Sequence, residues 1–185
     1  MPGDRFLIRN NEALHFVTFT IVSWIDLFTR PDYKNIIVDS LNFCVKNKGL
    51  VIFGWVLMTN HLHLLISSKE GSFQNDIIRD FKTHTSKQLS SSVSSGIESR
   101  EWILDRFAYE LDKGLKGSSK HKYRVWQAGY HGEECDGVII KAQDKLDYIH
   151  ENPVKQGIVY KAEDYVYSSA AAYADGESLV DIVFL

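Results

Sequence analysis

Two apolar runs, residues 51–58 and 61–67, are separated only by Thr59-Asn60. A connection that short between strand-length runs makes a β-hairpin, so the chain must contain antiparallel sheet. The second run opens with His61-Leu62-His63. Alternate residues of a strand share a face. His61 and His63 therefore project together, while Leu62 and Leu64 enter the opposite side. Two imidazoles a strand pitch apart suit a divalent metal ion. The same pair also suits hydrogen-bonded structural histidines, and the spacing alone does not separate the two uses.

The flanking sequence supplies the rest of a fold. Residues 14–22 (LHFVTFTIV) are rich in β-branched and aromatic side chains and read as a buried first strand. His15, near its start, fits a core-edge position better than a DNA contact. Thr29 is placed to cap a helix, with Pro31 in its first turn and Gly49 as its stop. Ile37, Leu41, Cys44 and Val45 recur along it at helical spacing. Ser72 is placed to cap a second helix, with Ile77, Phe81, Thr85 and Leu89 on one face. Strand, helix, strand, strand, helix is most of a split βαβ arrangement. The expected class is α+β, a ferredoxin-like antiparallel sheet with helices on one face and the other face available for a site.

Residues 90–96 (SSSVSSG) read as a loop, and Ser99 as the cap of a helix carrying Trp102, Ile103, Phe107 and Leu111. Residues 113–124 (KGLKGSSKHKYR) hold many basic groups and no acid. Such a run is either a solvated surface loop or a loop that wraps phosphates. Residues 125–131 read as a further strand. A last helix begins near Asp136, with Ile139, Ala142, Leu146 and Ile149 as its apolar stripe. At about 100° per residue, Tyr148 falls off that stripe. Asn152 follows one turn later on the same side, and Pro153 is expected to end the helix. Tyrosine on a polar helix face and asparagine at a helix end both have ordinary surface roles as well.

With 185 residues, one domain (1–185) is expected. No apolar run reaches membrane-spanning length, and no signal-peptide pattern opens the chain, so a cytoplasmic protein that does not engage membranes is expected. Cys44 and Cys135 form no motif and read as reduced thiols. The formal net charge of −3 argues against an overall basic nucleic-acid-binding surface. It leaves room for a local basic patch.

Read together, two segments resemble a known family. His61-Leu62-His63 is similar to the HUH motif, two histidines around a hydrophobic residue. Residues 146–159 (LDYIHENPVKQGIV) resemble the tyrosine helix and following turn of single-tyrosine HUH transposases, in the REP-associated tyrosine transposase branch. That branch's pattern is matched by Tyr148, Asn152, Pro153, Val154, Lys155 and Gly157. The first strand, the MTNHLHLL stretch, Trp126-Gln127 and Tyr167-Ser168-Ser169 extend the similarity over roughly residues 12–175. Thr59 departs from it, because proline commonly precedes the Asn-His in the family.

The resemblance implies cleavage and rejoining of single-stranded DNA near hairpin (REP-type palindromic) sequences. It assigns Tyr148 as nucleophile, His61 and His63 as metal ligands, and Asn152 as the third ligand of Mg²⁺ or Mn²⁺. Attack by Tyr148 would leave a 5′-phosphotyrosine and a free 3′-OH. A phenol ionises only near pH ~10, so a metal that stabilises its phenolate suits this chemistry. Lys113, Lys116, Lys120, Lys122, Arg124, Lys145 and Lys155 are candidates for phosphate contacts, and Trp126 or Tyr130 for stacking on bases. The expected partner is single-stranded or hairpin DNA, and the protein a monomer or homodimer. Two other classes fit: a domesticated hairpin-DNA-binding protein that no longer cuts, and a metal-dependent hydrolase of a small substrate.

Overall fold

The structure, a computed structural model, describes residues 8, 10, 11, 13–114, 122–135 and 139–185. Four strands form one sheet: β1 (His15–Thr20), β2 (Leu50–Leu57), β3 (His61–Ser68) and β4 (His131–Glu134). Their order is β2-β3-β1-β4, and every neighbouring pair is antiparallel. Helix α1 (Pro31–Lys48) carries the chain from β1 to β2, leaving a gap that β3 fills by hairpin return. This is the expected α+β, ferredoxin-like arrangement.

One sheet face is the main core. Val17 and Phe19 of β1 and Leu62, Leu64 and Ile66 of β3 pack there against α1 and α2 (Gln74–Ser92). Helix α3 (Trp102–Gly114) adds Ile103 and Phe107 to the same core. The opposite face, expected to be free of helices, carries α4 (Ile139–Lys155), which sets Ala142, Leu146 and Ile149 against Val56 and Leu65. His61, His63 and Leu65 alternate on this second face, as the strand period requires.

A bulge in β2 makes the second face possible. Its register steps from Ile52↔Ile66 to Gly54↔Leu65, so Phe53 is the extra residue. The step moves Gly54 and Val56 onto the α4 side and Trp55 and Leu57 into the main core. Gly54 is also where α4 comes closest, since a Cβ there would lie 2.5 Å from Leu146 Cδ1 and 3.6 Å from Ile149 Cδ1. Gly54→Ala is expected to cost about 1–3 kcal/mol through overpacking, read as a lower urea midpoint. Leu146→Val beside it should return part of that loss.

Several local expectations are corrected. Thr29 does not cap α1. The cap position is Arg30 with no side-chain bond, and Pro31 at the first turn has no N–H to satisfy. Thr29 Oγ1 instead accepts from Arg100 Nη2 at 3.4 Å. Ser72 does not cap α2. The N–H of Gln74 is met by Asn11 Oδ1 at 3.0 Å, so a segment distant in sequence supplies the cap. Residues 90–96 are not simply a loop, because α2 continues to Ser92 and passes into a π-helical turn over Val93–Ile97. The hydroxyls of Ser94 and Ser95 bond back to the carbonyls of Ser90 and Ser92, and Val93 anchors the turn in the core.

The fourth strand starts later than expected, at His131. Before it, Trp126 makes only an isolated bridge to Ile21. Pro153 does not end α4 but sits inside its last turn, where the missing N–H removes a single ladder bond. Residues 165–183 pack back on the domain, with a specific task. Leu57 N–H bonds the carbonyl of Tyr167, Ser169 N–H bonds that of Trp55, and Val183 N–H bonds that of Ile52. The free edge of β2 is thereby paired. No helix among the described residues is long and apolar enough to cross a membrane.

Candidate functional site

On the second sheet face His61, His63 and Tyr148 meet Phe16 and Thr18 of β1 at the centre of the sheet. Their strands, β3 and β1, each have a neighbour on both sides, which holds side-chain positions firmly. The rings of His61 and His63 lie 4.6 Å apart, centroid to centroid. Tyr148, projecting from α4, meets His63 edge-on at 5.3 Å. Phe16 of β1 stacks on His63 at 5.4 Å and meets Tyr148 edge-on at 5.8 Å. Tyr148 is 42% exposed, so it is held by two ring contacts while remaining accessible.

Each histidine is oriented by a hydrogen bond on Nδ1. The Asp26 carboxylate accepts from Asn60 Nδ2 at 2.9 Å. Asn60 must then present its Oδ1 to His61, and the 2.7 Å contact makes His61 Nδ1 the donor. The His61 lone pair is thus on Nε2, the tautomer a metal ligand needs. Asp26 also accepts from Thr59 Oγ1 at 2.7 Å. Thr59 therefore ties the β2–β3 turn to the same carboxylate.

His63 Nδ1 lies 2.7 Å from Thr18 Oγ1, its cross-strand neighbour. Its Nε2 is buried with no hydrogen-bond partner among the described residues. An orphaned buried ring nitrogen is costly. Burial, and secondarily the adjacent His61, pushes the His63 imidazole down to about 3. Burial also lowers His61, against an opposing pull from Asp26. Both rings are consequently neutral at physiological pH, the form that coordinates metals. Two neutral imidazoles on one face are a donor set that fits a divalent ion.

Among the described residues no group of three or more His, Cys, Asp or Glu side chains is placed to hold a metal. Asn152, 7% exposed, lies one turn beyond Tyr148 on α4. Its Oδ1 accepts a long 3.4 Å bond from Gln156 Nε2.

The fold is shared with a REP-associated tyrosine transposase. A solved structure of such a protein, bound to a REP hairpin, matches over 100% of this chain and 94% of that one. The TM-score is 0.59 and the sequence identity 18%. No protein-family model and no curated protein matches the sequence.

The predicted DNA contacts divide. Lys145 reaches the site's margin, its Nζ 5.0 Å from the centre of the Phe16 ring, although it pairs with Glu133 at 2.6 Å. Lys155 is exposed at the end of α4. Lys122 and Arg124 line a groove of about 660 Å³ with Lys82 and Lys87 of α2, on the sheet side without the histidines. Lys113 is exposed near the end of α3. Lys116 and Lys120 lie outside the described residues.

The expectation for Trp126 is corrected. It is 4% exposed, packs on Phe19 and Phe28, and donates Nε1–H to Thr85 Oγ1 at 2.9 Å, so it has no free face for a base. Tyr130 is half-buried, with its hydroxyl on Asn75. His15 is a buried core-edge residue, its Nδ1 3.0 Å from the Ala13 carbonyl.

Sequence reasoning missed Phe16, Thr18, Asp26 and the role of Asn60. The signal for the first two was present: Phe16, Thr18 and Thr20 alternate with the apolar Val17 and Phe19, which puts them on the histidine face. Nothing local marks Asp26.

Proposed function

We propose that this protein cuts and rejoins single-stranded DNA beside hairpins, with Tyr148 as nucleophile and a divalent ion held by His61, His63 and Asn152. The observation that carries this reading is the contact between Tyr148 and His63, residues distant in sequence whose meeting depends on the whole fold. The shared fold with a protein bound to a REP hairpin supports hairpin DNA as the substrate.

In this reading the Tyr148 oxygen attacks a phosphodiester phosphorus. The phenolic proton leaves, the Tyr–O–P bond forms, and the bond to the 3′-oxygen breaks. The departing oxygen takes a proton and becomes a free 3′-OH. The ester keeps the bond energy, so a second 3′-OH can reverse the step and join strands without ATP. When bound, Mg²⁺ or Mn²⁺ supplies Lewis-acid polarisation of the phosphate and stabilisation of the phenolate. The chain's own part is positional: Thr18 and Asn60 aim the imidazoles, Phe16 braces Tyr148, and α4 holds Asn152 one turn away. Lys145 and Lys155 flank the tyrosine as phosphate contacts.

Access decides the substrate form. Both sheet and helix crowd the site, so a duplex would have to deform locally, at about several kcal/mol. The protein is expected to cut a single strand beside a hairpin at least ~100-fold faster than the same sequence in perfect duplex, with binding that weakens steeply as salt rises. Gel assays across a salt series test this. Equal cleavage of both forms, independent of salt, would indicate an ordinary metal nuclease. Tight hairpin binding without any covalent adduct would indicate a DNA-binding protein that does not transfer strands.

A further inference from the structure

The turn between β1 and α1 is unusual in its backbone. Ser23 and Trp24 both have φ of +55°, a left-handed conformation that side-chain-bearing residues adopt at a cost. Two such residues in succession persist only where the surroundings hold them. Here Ser23 Oγ donates to Glu110 at 2.9 Å and accepts from Arg106 Nε at 2.7 Å. The carbonyl of Trp24 accepts from Asn60 Nδ2 at 3.4 Å. This fixed turn projects an indole that is 63% exposed.

The indole does not stand alone. Trp24 lines a small cavity of about 230 Å³ with Val22, Glu110, Arg124, Gln127 and Ala128. That is the space of roughly eight liquid waters, enough for a flat ring system. Its lining residues carry an indole, a guanidinium and an amide, groups that pair with the acceptor and donor atoms on base edges; the Gln127 amide makes one long bond, 3.4 Å to the Ile21 carbonyl. The Glu110 carboxylate is occupied by Arg106 at 3.2 Å and by Ser23. The cavity lies at the end of the sheet where His61 sits, since Ile21 N–H bonds the carbonyl of Asn60 at 2.9 Å. Trp24 is thus joined to His61 through one residue, Asn60.

We propose that this cavity takes one unpaired nucleobase of the single strand, stacked on Trp24 and met at its edge by Arg124 and Gln127. The proposal rests on the single-stranded DNA reading above and names where that strand is gripped outside the His-Tyr site. The strained turn has a use on this account: it keeps the indole out of the core and in a fixed direction, so little ordering remains when a base arrives.

The test compares a blunt DNA hairpin with the same hairpin carrying an unpaired extension. Wild-type protein is expected to bind the extended form about 10-fold or more tightly, the scale of base–aromatic stacking. Trp24→Ala should bring the extended form down to the blunt level and leave blunt-hairpin affinity unchanged. Trp24→Phe should restore most of the difference. Replacing the extension's bases one at a time with abasic sites should find one position that mimics Trp24→Ala and adds nothing to it. A folded Trp24→Ala protein that keeps the full advantage of the extension overturns this proposal alone. A wild-type protein that binds neither DNA overturns the functional reading and the proposal with it.

Discussion

A Tyr148→Phe protein is expected to form no covalent link to DNA. Incubated with labelled hairpin DNA bearing a single-stranded flank and Mn²⁺, it should give no slow-migrating band on a denaturing gel, where the wild type gives one. Cleavage should fall by about 10³-fold or more, the scale expected when a nucleophile is removed. The substitution is clean because it deletes a single oxygen. Phenylalanine retains the edge contacts to His63 and Phe16, and the position is already well exposed. Stability should stay within ~0.5 kcal/mol, and hairpin affinity should be unaltered. An adduct that survives the change would sink the assignment. It would have to move to Tyr123 or Tyr130, and the Tyr130 hydroxyl is bound to Asn75 and packs on the main-core face.

The second large effect concerns the histidines. His63→Ala and His61→Ala should each reduce cleavage by about 10²-fold or more while hairpin affinity, set by phosphate contacts, changes little. Metal should also stabilise the wild type against unfolding, by about 2.7 kcal/mol at a hundred times its dissociation constant. Either variant should lose most of that gain, and EDTA should abolish it in the wild type. Thermal shifts with and without Mn²⁺ measure this apart from any activity. His63→Ala also removes the orphaned Nε2, so its apo form should be destabilised less than a buried truncation usually is. Equal loss of cleavage and hairpin binding in a folded variant would contradict the division of labour.

Much of this arrangement was readable from local pattern. The period of two fixed the common face of His61 and His63, and the stripe of Ala142, Leu146 and Ile149 set Tyr148 aside from the core. Both depend only on neighbours in sequence. The misses share the opposite character. The cap of α2 comes from Asn11, the ring of Trp126 is enclosed by Phe19 and Phe28, and His61 is oriented by Asp26 through Asn60. Each depends on a partner brought close only by folding. Pro153 lies in a final turn, where few bonds remain to be lost, so the rule for helix interiors does not hold there. The bulge at Phe53 was invisible in an apolar run whose alternation it interrupts.

The pairing of residues 167–169 with β2 bears on the order in which the molecule becomes competent. The histidine hairpin is complete once β3 and its neighbours have been synthesised. Helix α4 follows, but its seat includes Tyr165, and His150 is tied to Ser169 at 2.9 Å. Truncation before Tyr165 is therefore expected to loosen α4 and Tyr148 while leaving the strand pairing that carries the two imidazoles. The face that carries His61, His63 and Tyr148 is thus assembled from both halves of the chain, and the helix bearing Tyr148 is fully seated only with residues 165–169 in place.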